Sequence, residues 1–241
     1  MKTIGLIGGM SWESTLLYYQ AINREVSRRL GGLHSAKLLM HSLDFEEVVR
    51  GQQNGDWDGL TELLRGAARG LATAGADVLL ICTNTMHKVA PQLAVPGLPP
   101  LLHIADVTGQ AIGARGLTRV VLLGTRYTME QPFYIEHLAR MGIDCIVPSS
   151  EHREEVHRII FDELCLGVFH DSSRQALRNI VADCARQGAE GVILGCTELP
   201  LILSATDVAL PLFDTTALHA QAAADFALTG LAPHPETASF A

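Results

Sequence analysis

Short apolar runs alternate with longer amphipathic stretches along the chain, and this predicts strands alternating with helices. Residues 3–7 read as a first strand, closed by the turn Gly8-Gly9-Met10-Ser11. Ser11 or Ser14 is placed to cap a helix from Trp12 to about Leu30. Residues 37–43 predict a second strand, 46–50 a short helix and 51–55 a loop. Residues 58–74 have helical spacing and stop at Gly75, a good helix-ending residue. Residues 77–82 read as a buried strand, apolar without alternation from Val78 onward. Thr83-Asn84-Thr85 then opens a helix, which the prolines between Pro91 and Pro100 end.

The alternation then starts again. Residues 118–123 predict a strand with the turn Gly124-Thr125-Arg126-Tyr127-Thr128, and 129–141 a helix ending at Gly142. Residues 144–147 form a strand closed by Pro148, and 151–166 and 172–187 are helices. Gly188 leads into a strand that ends at Cys196. Residues 208–213 form one more strand, Asp214-Thr215-Thr216 opens a last helix, and 229–241 read as a loose polar tail. Gly8-Gly9-Met10-Ser11 is echoed by Gly124-Thr125-Arg126-Tyr127, and Thr83-Asn84-Thr85 by Cys196-Thr197-Glu198. The expectation is two related α/β halves, 1–97 plus 208–241 and 98–207, with mostly parallel sheets covered by helices. Corresponding loops of two such halves could face each other across a cleft.

Composition narrows the setting. With 48% hydrophobic and 18% charged residues in 241, the chain has ample material for a dry core. A net charge of −8 argues against nucleic acid or an anionic membrane as partner and leaves a small-molecule substrate. No apolar run reaches the ~20 residues of a spanning helix, and the first residues read as a strand rather than a signal peptide. The five cysteines form no CxxC pair, which disfavours a disulfide or zinc framework and suggests a reducing cytoplasm.

The chemistry concentrates at two strand ends. Aligning Gly75-Ala76 with Gly188-Ala189 without gaps puts Thr83 on Cys196, a hydroxyl matched to a thiol. Ligands of open α/β sheets bind at the carboxyl ends of strands. A cleft with one proton-transfer group on each wall suits inversion at a carbon. Helix N-terminal amides from Thr197 and Glu198 onward are expected to lower the pKa of Cys196. Asn84, Thr85 and Thr197 could hold a carboxylate between two helix starts. Cys82, one residue before Thr83, points to the opposite side of its strand and reads as core, like Cys145 and Cys184.

These motifs resemble the cofactor-independent aspartate/glutamate racemase superfamily. The resemblance runs from Ile4 to His219. It rests on Gly8-Gly9-Met10-Ser11-Trp12-Glu13-Ser14-Thr15, Asn84-Thr85-Met86-His87, Gly195-Cys196-Thr197-Glu198 and Asp214-Thr215-Thr216. It implies two pseudosymmetric α/β domains with the site between them, usually in a homodimer, and two cysteines acting as opposed bases without pyridoxal phosphate. Glu198 stands where cell-wall glutamate racemases usually have histidine, so the chain resembles the aspartate racemase branch. It departs from the pattern at Thr83, where the first cysteine is replaced. A Thr/Cys pair resembles the racemases specific for L-aspartate and L-glutamate, or of broad specificity. The resemblance implies that Cys196 takes the proton from an L-substrate.

Other residues carry weaker signals. Met10, Ser11, Gln52 and Thr125 are expected to line the substrate site, and Arg50 and Arg126 are candidates for a side-chain carboxylate. His87 and His219 could orient the motif loops. No metal site is expected, since the stretch 151–157 reads as a solvated helix face. Lys2, Lys37 and Lys88 are the only lysines, which independently disfavours a pyridoxal Schiff base. A decarboxylase, maleate isomerase or hydantoin racemase of the same architecture, or an amino-acid-binding protein without turnover, are the alternatives.

Overall fold

The computed structural model of the protein describes residues 1–231. The chain forms two compact units, Met1–Val107 with the segment from His219 onward, and Thr108–Leu218.

In the first unit, β1 (Thr3–Gly8), β2 (Lys37–Ser42) and β3 (Val78–Ile81) form a parallel sheet in the order β2-β1-β3. Around it lie α1 (Trp12–Leu30), α2 (Phe45–Asn54), α3 (Trp57–Thr73) and a 3₁₀ segment, Thr85–Leu93. The central strand β1 is buried on both faces, as its unbroken apolar run requires. Ile7, Met10, Val48, Leu64, Leu79 and Met86 belong to one core cluster. Each large apolar side chain fully buried there contributes about 1.5–3 kcal/mol relative to exposure.

The second unit repeats the scheme with four parallel strands, β4 (Arg119–Gly124), β5 (Asp144–Ile146), β6 (Gly191–Gly195) and β7 (Leu212–Asp214), in the order β5-β4-β6-β7. Its helices are α5 (Arg126–Glu130), α6 (Pro132–Ala139), α7 (Ser150–Asp162), α8 (Asp171–Arg186) and the short α9 (Leu199–Ile202). The chain passes between the units within α4 (Ile104–Gly113) and α10 (Thr215–Thr229).

Several expectations are corrected. The units divide at 107/108 and 218/219, not at 97/98 and 207/208. The last strand belongs to the second unit, because Val192, Ile193 and Leu194 of β6 pair in register with Leu212, Phe213 and Asp214. The single helix expected over 129–141 is two. Pro132 cannot continue a helix from the preceding turn, and Gln131 adopts extended backbone at φ −90°, ψ 141°. Helix α7 ends at Asp162, short of 166, and a 3₁₀ turn, Leu164–Leu166, follows. Residues 51–54 are helical rather than a loop, so Gln52 sits on α2. The segment after Thr85 is a 3₁₀ helix that holds Pro91 within it. Helix α4 was not expected at all. The tail expected over 229–241 lies, from residue 232, outside the described residues. No described helix is long and apolar enough to cross a membrane.

Candidate functional site

Two strand ends carry the motif residues, and each is built by its own unit. In the first, β1 runs out into Gly9, whose φ of +87° and whose closeness to the Leu43 backbone exclude a side chain. A Cβ there would lie 2.2 Å from the Leu43 carbonyl oxygen. Ser11 caps α1, accepting at 3.2 Å from the Ser14 N–H. Thr15 braces the same turn, donating to the Ser11 carbonyl at 2.9 Å and accepting from the Gly9 N–H at 2.8 Å. Met10 is buried in the core cluster of the first unit.

Thr83 is half-buried just beyond β3, and Asn84 and Thr85 behind it are buried. His87 ties this turn down. Its Nε2 lies 3.2 Å from the Ile104 N–H, which can only donate, so Nδ1 carries the ring proton and donates to the Thr83 carbonyl at 2.8 Å. The rings of His103 and His219 pack edge-on against it, at centroid distances of 4.7 and 5.7 Å. His219 is neutral in the other tautomer, with Nε2–H donating to the Leu102 carbonyl at 2.8 Å and Nδ1 accepting from the Tyr18 hydroxyl at 2.9 Å. Burial lowers its pKa to about 4. His87 thus bonds the turn that carries Thr83, whereas the bonds of His219 go to Tyr18 and Leu102, outside the motif loops. Tyr18 was missed, although it falls on the buried stripe of α1 with Ile22 and Val26. A phenol on a buried stripe needs a polar partner.

In the second unit, β6 ends at Gly195, where a Cβ would lie 2.7 Å from Leu122 Cδ1 and 2.9 Å from the Leu123 carbonyl oxygen. Glycine at this point keeps β6 tight on β4, where Gly124 pairs with Gly195. Thr125 follows Gly124 and caps α5, accepting from the Thr128 N–H at 3.3 Å. Its hydroxyl lies 3.2 Å from the Thr128 hydroxyl, the spacing found between Ser11 and Ser14. The echo between the two glycine turns is thus an echo of cap chemistry.

Cys196 is buried, and its thiol donates to Glu198 Oε2 at 2.9 Å. The Thr197 hydroxyl donates to the same oxygen at 2.7 Å. Thiol, hydroxyl and carboxylate form one buried cluster. The expected lowering of the thiol pKa is corrected. Burial pushes it well above the ordinary value, the negative charge of Glu198 and its hydrogen bond push the same way, and the Glu198 N–H opposes them without prevailing. The four-residue α9 is too short to offer much of a dipole. The Asp214-Thr215-Thr216 motif secures the neighbouring strand. Asp214 accepts from the N–H groups of Thr216 and Ala217, and the Thr215 hydroxyl donates to the Leu194 carbonyl at 2.9 Å.

Of the remaining candidates, Gln52 is buried and its Nε2 lies 3.3 Å from Met86 Sδ. Arg50 is exposed and paired with Glu46 one turn away, a surface arrangement. Arg126 is exposed, and its N–H donates to His157 Nδ1. Lys88 is held 3.6 Å over the Trp57 ring. Cys82, Cys145 and Cys184 are buried as expected. Burial raises the thiol pKa of all three, to about 12 at Cys145 and about 11 at Cys184.

Residues 7–223 match the family model described as Asp/Glu/hydantoin racemase. Among solved structures, a Yersinia pestis protein assigned as an Asp/Glu racemase is 52% identical, with a TM-score of 0.90 over 95% of this chain and 100% of that one. An aspartate racemase homologue from Pyrococcus horikoshii OT3 is 36% identical, with a TM-score of 0.82 over the same shares of the two chains. The broad-specificity amino-acid racemase RacX of Bacillus subtilis is 24% identical over 162 residues, 67% of this chain and 70% of that protein. With the family model matched across nearly the whole chain, one conclusion follows: the protein belongs to the Asp/Glu/hydantoin racemase family.

Proposed function

We propose that the protein is an amino-acid racemase that works without pyridoxal phosphate on L-aspartate and L-glutamate, with Cys196 as the base for the L-substrate. The observation that carries this reading is the buried thiol at the end of β6, hydrogen-bonded to a carboxylate that can accept its proton. The likeness to an aspartate racemase homologue supports an acidic amino acid as substrate.

In this reaction the Cys196 thiolate removes the α-proton, and the electron pair left on Cα spreads into the substrate carboxylate. Backbone N–H groups of the turns after Thr83 and Cys196 suit that carboxylate. The Thr83 hydroxyl donates or relays a proton to the opposite face of Cα. A hydroxyl is a far poorer base than a thiolate, so turnover from the L-isomer outruns turnover from the D-isomer. The equilibrium constant stays near one, which holds kcat/KM equal in the two directions, so the asymmetry lies in kcat together with KM or in partial exchange at Cα.

Chiral analysis of each L-amino acid after incubation with wild type, Cys196→Ser and Thr83→Cys tests this reading. The D-isomer of aspartate or glutamate should form with wild type and not with Cys196→Ser, and Thr83→Cys should gain activity on D-aspartate. Full activity in Cys196→Ser contradicts the proposal. The high thiol pKa favours one second reading, a protein that binds aspartate without turnover. Aspartate binding unchanged in Cys196→Ala, with no exchange at Cα in wild type, would select it.

We also propose a cytoplasmic homodimer. Trp12, Leu16 and Tyr19 recur on one face of α1 and are 65%, 47% and 47% exposed, an apolar stripe suited to self-association. Light scattering at the mass of a single chain, unchanged by Leu16→Glu, would rule this out.

A further inference from the structure

Glu198 is a buried carboxylate that the family resemblance leaves without a role in this branch. Taking a carboxylate out of water costs several kcal/mol unless its oxygens are satisfied. Two of its bonds come from the Cys196 thiol and the Thr197 hydroxyl, both uncharged donors, and both end on Oε2. A thiol donating straight to a carboxylate oxygen is a good arrangement for moving a proton from sulfur to oxygen. The Thr197 hydroxyl holds Oε2 where it faces the sulfur. Besides Glu198, the titratable group that acts on the Cys196 thiol is Cys165.

We infer that Glu198 is the proton acceptor of Cys196, so that the base acting on the L-substrate is a thiol–carboxylate pair rather than a thiolate made by helix amides. This rests on the racemase reading above. The S–H bond of Cys196 breaks as an O–H bond forms on Glu198 Oε2, leaving a thiolate and a neutral carboxyl. The thiolate then takes the α-hydrogen as a proton. A new S–H bond forms, and the C–H electron pair stays on Cα. Charge is conserved at each step, and no other reactant is needed. The Thr83 turn has a histidine anchored to its carbonyl instead, so the two strand ends differ in base strength and also in what empties the base of its proton.

Glu198→Gln separates this role from a structural one, because two readouts move in opposite directions. Removing the negative charge relieves the thiol, so alkylation of Cys196 by iodoacetamide near pH 8, followed on its own peptide by mass spectrometry, should rise about tenfold. Removing the acceptor should slow Cα deuterium exchange from L-aspartate about a hundredfold or more. Glu198→Asp, which keeps a carboxylate, should recover part of the exchange rate. A merely structural residue would not make the thiol more reactive while the circular dichroism and melting temperature stay native. Unchanged alkylation in Glu198→Gln, or exchange as fast as in wild type, overturns the inference. Absence of exchange in wild type overturns the racemase reading instead, and the alkylation comparison still decides whether Glu198 governs the thiol.

Discussion

His87 Nδ1 donates to the carbonyl of Thr83 at 2.8 Å, while its Nε2 accepts from the Ile104 N–H at 3.2 Å. One neutral ring thus satisfies two backbone groups and fixes the turn that presents the Thr83 hydroxyl. His87→Ala leaves both groups unpaired in a buried setting and opens a cavity. The expected loss of stability is roughly 2–4 kcal/mol, read as a lower urea midpoint at unchanged slope. A midpoint within experimental error of wild type would show that water replaces the ring at no cost.

His219 makes the fold sensitive to acid. Its pKa is about 4 in the folded chain against 6.5 for the free side chain, because burial disfavours the charged ring. The unfolded chain binds the proton first, so stability rises with pH across this window. The contribution is complete above about pH 6.5 and is lost as the pH falls towards 4, for a total of about 3 kcal/mol. Urea unfolding at pH 7.0, 5.5 and 4.5 measures it, and His219→Gln should flatten the profile over that range. An equally steep profile in the variant would assign the acid sensitivity elsewhere.

Gly9→Ala should be severely destabilising. The residue has φ +87°, and a methyl group would lie 2.2 Å from the Leu43 carbonyl oxygen, which is backbone and cannot rotate away. Strain and displacement together are expected to cost about 2 kcal/mol or more. The melting temperature should fall by several degrees, and no change would mean that the first strand end is looser than described.

Four of the five cysteines are buried, and Cys165 alone is half-buried. Native protein titrated with a disulfide reagent should therefore show one fast thiol, at Cys165, and four slow ones. Cys82→Ala should keep its activity, because Cys82 lies in the core and one residue short of the position matched to Cys196. Loss of activity in a folded Cys82→Ala protein would reopen that assignment.

Much of this organisation could be read from the sequence, for physical reasons. Residues 78–82 and the run ending at Gly195 are short unbroken apolar stretches closed by turn residues, the pattern of buried strands. The gapless match of Thr83 to Cys196 follows from them. Strand β7 was assigned to the wrong unit because a strand's partner is set by hydrogen bonds to β6, not by its own residues. Helix α4 follows a proline-rich crossover and was passed over with it. Pro132 offered a plain breaking signal within residues 129–141. The setting of Cys196 was not readable. Whether Glu198 turns its carboxylate onto the sulfur or away from it is a matter of side-chain rotamer, which leaves no trace in periodicity.

The central claim is that Cys196 takes the α-proton of an L-amino acid. Proton NMR of L-aspartate and D-aspartate, each incubated with the protein in deuterium oxide, tests it most directly. Fast loss of the α-proton signal from the L-isomer, slower loss from the D-isomer, and a fall of at least about a hundredfold for the L-isomer in Cys196→Ser are the predicted results. Equal fast exchange from both isomers, or undiminished exchange in Cys196→Ser, would contradict the account.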